Sequence, residues 1–254
     1  MNALPLTPSS YGYGIFGNLS ENYGKARRNF PQELIMKIFS KLGSAHPSLL
    51  DMGCGTGIAT QQLRQYGADV IGTDIDPEMI VKAKLHNPYN IKYLVASAER
   101  QPFTEKMFDG ITAFSSFHWF AHEHAINEIK RLLKKRGIFF IINKNESGDF
   151  KKKNKAILQC FINEDMPDIK KTYDPKKILE DNEFSNVEEI NYRAIEFFTP
   201  LQALEYVQSM SIWNLVPESK KTAALKALQN HFSEISENGL IRRALNVVLV
   251  YGTN

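Results

Sequence analysis

A glycine-rich turn is the first feature of this sequence that could do chemistry. Gly53, Gly55 and Gly57 alternate with other residues directly after the apolar run Leu49–Met52. Glycine is needed where the backbone takes a positive φ, or where a ligand must approach the main chain without meeting a Cβ atom. A dinucleotide-binding turn requires G-x-G-x-x-G. The spacing here is G-x-G-x-G, with Asp51 two residues ahead, so it does not match a dinucleotide site.

A carboxylate follows at the end of the next apolar run. Asp74 comes directly after Val70–Thr73 and 17 residues beyond Gly57. A carboxylate in this position can accept hydrogen bonds from both ribose hydroxyls of a bound nucleoside. Asp76 is nearby, but it directly precedes Pro77, where we expect it to cap a helix. Asp74 is therefore the predicted ribose ligand.

The elements that position these residues alternate between short apolar runs and amphipathic stretches. Strands are predicted at Leu49–Met52, Val70–Thr73, Ile91–Ala96, Ile111–Phe114 and Ile138–Asn143. Continuous apolar runs are typical of parallel strands that are covered on both faces. We expect one intervening helix to end at Gly137, and its apolar face consists of Ala125, Ile126, Ile129, Leu132 and Leu133. This alternation predicts an α/β fold with a doubly wound, mostly parallel sheet, whose ligands bind at the carboxyl ends of the strands.

The flanks supply the remaining elements. Gln32–Leu42 is an amphipathic helix that should pack on the sheet. Later helices are predicted at Lys155–Asn163, Pro175–Asp181, Leu201–Met210 and Pro217–Glu234, and strands at Val187–Phe198 and Ala244–Tyr251 complete a seven-stranded sheet. No linker divides the chain, so we expect one domain over 1–254. Its core is 31–145 plus strands near 187–198 and 243–252, and a helical cap and lid come from 1–30, 146–184 and 199–240.

Composition excludes several classes of protein. The 254 residues include two cysteines, which cannot form a disulfide framework and point to the reducing cytoplasm. The longest apolar runs are about five residues, whereas a membrane-spanning helix needs roughly 20. Met1–Ser10 has neither a basic nor an apolar signal region, so we expect no secretory signal. A cytoplasmic protein without a membrane segment is predicted.

Two basic runs carry much of the positive charge. One lies at 130–136 and the other at 151–155, in a chain with 31 Lys+Arg against 28 Asp+Glu. Such runs could contact nucleic acid. More commonly they are a solvated helix end and a loop, and this is the interpretation we favour. Nucleic acid is therefore not the expected partner, and the sequence does not indicate an oligomeric state.

The acid, the glycine spacing and the second acid together resemble the class I S-adenosylmethionine-dependent methyltransferases. The resemblance implies S-adenosylmethionine as the cofactor and no metal, since no ligand cluster is visible. It assigns cofactor binding to Asp51, Gly53, Cys54, Gly55, Gly57, Asp74, Ile75, Met79, Ser97, Ala98, Ser115, Tyr23 and Arg27. Ser97 stands where many relatives have Asp, although a hydroxyl can also accept from adenine. Met79 packs either on the adenine ring or in the core, and Arg27 pairs with either the cofactor carboxylate or an acidic substrate.

A narrower resemblance concerns the acceptor. The sequence after the fourth strand, 117–120, is Phe-His-Trp-Phe and is similar to the small-molecule group that includes the trans-aconitate methyltransferases. The segments 16–31 and 210–218 are similar to the same group. The Asn/Asp-Pro-Pro-aromatic motif of base-methylating enzymes is absent here. The resemblance implies methylation of a small molecule, with O-methylation of an organic acid as the expected reaction and Trp119 and Trp213 as walls of the substrate pocket.

His118 is the candidate catalytic residue. Methyl transfer from a sulfonium is an in-line displacement, so the protein mainly aligns the reactants and excludes water. A carboxylate acceptor needs no base, whereas a phenol, an alcohol or a carbon acid needs one, and His118 is best placed to act. A structural role for His118 is the alternative. At the level of function, the alternatives are an RNA or protein methyltransferase, or a protein that binds S-adenosylmethionine without catalysis.

Overall fold

The computed structural model describes residues 27–163 and 173–254, so Tyr23 and the rest of 1–26 lie outside the described residues. The strands are β1 (Ser48–Met52), β2 (Asp69–Asp74), β3 (Lys92–Val95), β4 (Phe108–Phe114), β5 (Leu133–Glu146), β6 (Ser185–Phe198) and β7 (Ile241–Thr253). The helices are α1 (Gln32–Leu42), α2 (Ile58–Gln65), α3 (Pro77–Leu85), α4 (Glu123–Leu132), α5 (Phe150–Gln159), α6 (Pro175–Asp181), α7 (Pro200–Gln208) and α8 (Glu218–Glu234). No helix within these ranges is both long and apolar enough to cross a bilayer.

The seven strands form one sheet in the order β3-β2-β1-β4-β5-β7-β6. Neighbours from β3 to β5 are parallel, and β7 is antiparallel to both β5 and β6. The predicted α/β fold with a mostly parallel, doubly wound sheet is confirmed. The order of strands reverses between β1 and β4, and in such sheets the crevice at this reversal is where ligands bind.

Helices cover both faces of the sheet, because each presents one apolar stripe. Helices α1, α2 and α3 pack on one face, and α4 and α6 pack on the other. On α1, Leu34, Ile35 and Ile38 have no exposed surface. Burying each such side chain contributes about 1.5–3 kcal/mol, so this layer holds the strand ends in a fixed arrangement.

The late helices form a separate apolar unit, which we call the cap cluster. It comprises buried residues of α5, α7, α8 and the short helix Ser211–Leu215, and its centre includes Phe150 stacked on Phe232 with ring centroids 5.8 Å apart. The cap cluster reaches the sheet at Phe198 and Ile241, which pair where β6 ends and β7 begins. It therefore lies beside the edge at which β5 also ends.

Two predicted helix boundaries are wrong. Helix α4 ends at Leu132 rather than at Gly137, because Leu133 already pairs with Phe108 of β4. Helix α5 begins at Phe150 rather than five residues later, because Phe150 packs into the cap cluster. In both places a contact with a distant part of the chain decides the boundary.

The two basic runs differ in their surroundings. In the first run, Arg131 donates to Glu128 at 2.7 Å and Lys134 pairs with Asp109 at 2.8 Å, and both side chains keep more than a third of their surface exposed, as expected of a solvated helix end. The second run lies on α5, and Lys151 in it is half-buried. The predicted loop is therefore wrong for the second run.

Candidate functional site

The glycine turn after β1 is too tightly packed to carry side chains. Gly53 and Gly57 have φ values of +68° and +83°. A Cβ atom on Gly53 would lie 2.6 Å from Cβ of Ser116, and one on Gly57 would lie 2.5 Å from Oη of Tyr93. The turn thus combines left-handed backbone with close approach to β3 and to the chain after β4. Both features require glycine.

Asp51, near the end of β1, holds this turn in place through buried hydrogen bonds. Its carboxylate has no exposed surface and accepts hydrogen bonds from Oγ1 of Thr60 at 2.6 Å and of Thr112 at 2.9 Å. Burial raises the pKa of Asp51 to about 7, and the two threonine hydroxyls only partly oppose this rise. Because the Asp51 carboxylate is buried and already bonded to both threonine hydroxyls, we expect it to act by holding β1, α2 and β4 together. The sequence analysis missed both threonines, since neither belongs to the glycine motif.

Asp74 lies at the surface of the same crevice. Its carboxylate accepts from the backbone N–H of Gly55 at 2.8 Å and of Asp76 at 2.9 Å, and the residue keeps some exposure. Burial raises the pKa of Asp74 above its ordinary value. The next residue, Ile75, is 71% exposed. A carboxylate beside an exposed apolar side chain fits a nucleoside, with ribose on the first and a base on the second. Asp76 accepts from the N–H of Glu78 and caps α3, as predicted.

The other predicted cofactor residues differ in exposure. Met79 is 2% exposed and Cys54 8%, so both pack mainly in the core and offer little surface to a ring. Ser97 and Ala98 are half-buried after β3, with the Ser97 hydroxyl donating to Glu99. A hydroxyl that donates once still has lone pairs for an incoming donor, so Ser97 keeps its predicted capacity to accept.

The segment after β4 brings His118 and Trp119 together. It begins at Ser115, whose φ is +54°, and continues as a short helical turn over Phe117–Trp119. His118 is half-buried, with its ring 5.0 Å from the Trp119 ring and 5.9 Å from the Tyr173 ring. Trp213 is 6% exposed inside the cap cluster and is not part of this group.

Two polar residues that the sequence analysis missed lie beside His118. Asn143 is 4% exposed, and its Nδ2 donates to the Tyr173 hydroxyl at 3.5 Å. Its Oδ1 has no hydrogen-bond partner among the described residues. Burial raises the pKa of Tyr173 well above its ordinary value, so this phenol is neutral. No local pattern indicates either residue, because β5 and the start of α6 meet only in the folded chain.

Arg27 lies against the cap. Its guanidinium is 4.7 Å from the centre of the Tyr206 ring, and Nη2 donates to the carbonyl of Ser209 at 3.4 Å. Within 27–163 and 173–254, no group of three or more His, Cys, Asp or Glu residues could hold a metal ion.

The fold is that of an α/β domain with a crevice at the strand reversal, and comparison with known proteins shows what the chain is similar to. Residues 50–141 match the family model described as "Methyltransferase domain". The chain is 35% identical over 134 residues to a ubiquinone biosynthesis O-methyltransferase of Pelagibacter ubique, covering 50% of this chain and 55% of that one. It is 29% identical over 177 residues to a malonyl-[acyl-carrier protein] O-methyltransferase of Buchnera aphidicola, covering 65% and 71%.

A solved structure of a phosphoethanolamine N-methyltransferase 2 from Haemonchus contortus, with S-adenosylhomocysteine bound, shares the fold. Its TM-score is 0.54 at 16% identity, covering 98% of this chain and 60% of that one. The chain spans about half the length of the curated relatives that it matches at 31–35% identity. Residues 50–141 therefore match a methyltransferase domain, and the solved neighbour shares the fold. The resemblance to the trans-aconitate group stays a prediction.

Proposed function

We propose that this protein transfers a methyl group from S-adenosylmethionine to an oxygen atom of a small organic molecule. The observation that carries the proposal is the crevice at the strand reversal. There the glycine turn donates a hydrogen bond, through the backbone N–H of Gly55, to a carboxylate, Asp74, that keeps exposed surface. The two O-methyltransferases among the relatives support oxygen as the acceptor atom.

The cofactor supplies an electrophilic methyl group on a sulfonium, and the residues of this chain bind and orient the reactants. Asp74 would accept hydrogen bonds from the ribose hydroxyls, since its two oxygens are already held in place by backbone N–H groups. The exposed face of Ile75 would carry the base. Alignment and exclusion of water, rather than a new covalent intermediate, would provide the acceleration.

The acceptor would enter beside His118 and Trp119. His118 is half-buried and next to Asn143 and Tyr173, both of which present polar atoms. A carboxylate acceptor is already a nucleophile and leaves His118 as part of the wall. With an alcohol or a phenol, His118 would remove the hydroxyl proton while oxygen attacks the methyl group.

The alternative acceptors have less support. A nucleic acid could contact the exposed side chains of Lys135, Arg136, Lys152 and Lys153, but Arg131 and Lys134 are paired with Glu128 and Asp109. The other alternative is a protein that binds the cofactor without catalysis. A screen of acids, phenols and amines with methyl-labelled cofactor distinguishes it from an enzyme, since one methylated product would exclude the non-catalytic alternative.

Calorimetry with S-adenosylhomocysteine tests the cofactor site. Asp74→Ala should weaken binding by about tenfold to a hundredfold, since a charge-assisted hydrogen bond is worth about 1.5–3 kcal/mol. Asp76→Ala is the matched control: it removes the same charge two residues away but leaves the backbone N–H that bonds Asp74. Equal affinities for the two variants would contradict the assignment of Asp74.

His118→Ala tests the chemistry once an acceptor is found. With a phenol or an alcohol, kcat should fall by about 10²–10⁴-fold, and the loss of rate at low pH that protonation of His118 causes should disappear from the pH profile. With a carboxylic acid, kcat should change little. Loss of activity with a carboxylate and unchanged pH dependence would show that His118 only shapes the pocket.

A further inference from the structure

A cluster of buried charges lies where β5, β6 and β7 meet the cap. It contains Lys144 and Glu146 at the end of β5, Glu196 on β6, Arg243 on β7, Lys151 on α5 and Arg27. We call it the charge cluster. The side chains of Glu146, Glu196 and Arg243 are only 5–9% exposed. Counted together, these residues carry four positive charges against two negative ones.

Two of the cations are fully satisfied within the cluster. Nζ of Lys144 donates to Glu196 at 2.8 Å and also to the carbonyls of Arg28 and Asn29. Arg243 donates to Glu146 at 3.0 Å, to Glu196 at 2.7 Å and to the Tyr206 hydroxyl at 2.6 Å. The two carboxylates are thus already engaged by these two cations.

Lys151 is in a different position. It is half-buried, yet it forms no ion pair or side-chain hydrogen bond with any residue of 27–163 or 173–254. Burial lowers the pKa of Lys151, and although Glu146 opposes this effect, the charges of Arg243 and Arg27 lower it further. A desolvated cation without a paired counter-ion is costly, and no residue of 27–163 or 173–254 forms an ion pair with Lys151.

Two neighbouring polar groups are also unsatisfied. Asn154 lies three residues after Lys151 on α5 and has no exposed surface, and within the described part of the chain neither of its side-chain polar atoms has a hydrogen-bond partner. Residues three apart are neighbours on a helix. Oε1 of Glu146 likewise has no partner among the described residues. Together they offer an amide donor and a carboxylate acceptor beside the unpaired ammonium group.

The charge cluster lies at the edge of the sheet where the acceptor would bind. Phe114, the last residue of β4, pairs with Ile142, and β5 continues four residues further to Glu146. Neighbouring strands are about 4.8 Å apart. The part of the cluster on β5 is therefore one strand away from the strand that leads to His118, whereas Arg243 on β7 and Glu196 on β6 lie two and three strands away. The cap cluster contacts the charge cluster through Tyr206, which accepts from Arg243.

We propose that Lys151, with Asn154 beside it and Arg243 behind it, forms a subsite for a carboxylate or phosphate group of the methyl acceptor. Glu146 would receive a hydroxyl or amine donor of the same molecule. The proposal rests on the proposed methyltransferase function, and it adds that the acceptor carries an anionic group separate from the atom that is methylated.

Binding of citrate and of inorganic phosphate to the full chain tests the subsite, with sodium chloride at matched ionic strength as the reference. The measurements are dissociation constants from calorimetry and the midpoint of thermal unfolding. Lys151→Met removes the charge and keeps the length of the side chain, Lys151→Arg keeps the charge, and Lys152→Met removes an exposed charge one residue away.

Lys151→Met should weaken binding of citrate or phosphate at least about tenfold, whereas Lys151→Arg and Lys152→Met should stay within about threefold of the wild type. Without added anion, Lys151→Met should unfold at the same temperature as the wild type or higher, because it removes a desolvated charge. A merely structural lysine would give the opposite shift. If citrate binds and phosphate does not, the subsite accepts a carboxylate group; if phosphate binds and citrate does not, it accepts a phosphate group.

Three results would overturn the proposal. One is a wild type that responds to neither anion beyond the chloride reference. Another is an equal loss in Lys151→Met and Lys152→Met. The third is a tenfold loss of S-adenosylhomocysteine affinity in Lys151→Met, which would assign the subsite to the cofactor carboxylate. Since the Asp74 comparison tests cofactor binding and the Lys151 comparison is run with and without S-adenosylhomocysteine, the two proposals can fail separately.

Discussion

Asp51 should make the stability of this protein fall as the pH rises from about 4 to 7. Burial raises the pKa of Asp51 from its ordinary 3.8 to about 7 in the folded state. Between these two values the folded protein keeps Asp51 protonated, whereas the unfolded chain releases the proton. Stability falls with pH wherever the folded state binds more protons. The contribution of Asp51 is therefore fully present below pH 4 and is lost as the pH approaches 7.

The size of the effect follows from the gap between the two pKa values. A gap of about three units corresponds to ~4 kcal/mol, which is a large fraction of the stability of a typical domain. Asp51→Asn keeps the shape and retains partners for Thr60 and Thr112, whose hydroxyls can rotate, but it has no proton to lose. The free energy of unfolding of the variant relative to the wild type should therefore rise by ~4 kcal/mol between pH 4 and pH 7.

Urea denaturation at half-unit steps from pH 4 to pH 8 measures this difference directly. Asp109→Asn is the control with the opposite sign. Although burial alone would raise the pKa of Asp109, Lys134 and the N–H of Ser48 lower it, so Asp109 stabilises at neutral pH and this stabilisation is lost in acid. Profiles for the wild type and Asp51→Asn that run parallel from pH 4 to pH 7 would refute the reasoning.

Two further substitutions, Gly57→Ala and Tyr206→Phe, test the packing around the site, and Gly43→Ala is the control for the first. Gly57→Ala should destabilise by roughly 2–5 kcal/mol, from the left-handed backbone and from a Cβ 2.5 Å from Tyr93, and should also weaken S-adenosylhomocysteine binding. Gly43 also has a positive φ, but a Cβ atom there would meet no other atom. Calorimetry should therefore show about 1–2 kcal/mol of destabilisation for Gly43→Ala and unchanged affinity for S-adenosylhomocysteine. Tyr206→Phe should cost about 1–3 kcal/mol, because Arg243 loses its 2.6 Å acceptor, and a thermal midpoint equal to that of the wild type would contradict this.

Much of the fold follows from local patterns. The mainly apolar runs at Leu49–Met52 and Val70–Thr73 predict buried strands, because apolar side chains at successive positions suit a strand that is covered on both faces. The cap of Asp76 before Pro77 was also predictable, since both residues act within one turn of the chain. The helix end at Leu132 was not predictable, because it depends on pairing between β4 and β5.

The candidate site divides in the same way. The glycine turn and Asp74 are adjacent to strand ends in the sequence, so the predicted sheet alone brings them to one edge. From the sequence alone, Lys151 is predicted to be one of several solvated lysines. In the folded chain the charge of Arg243, a residue 92 positions later, acts on Lys151 and lowers its pKa.

The sequence by itself determined the strand–helix alternation, the glycine-rich turn after the first strand and the acid at the end of the second strand. These depend on periodicity and on backbone conformations that only certain residues adopt. The tertiary structure alone decided that Asp51 is buried under two threonines, that Asn143 meets Tyr173, and that Lys151 faces a cluster with excess positive charge. Burial and Coulomb interactions depend on distance in space, and pairing between strands far apart in the chain sets that distance.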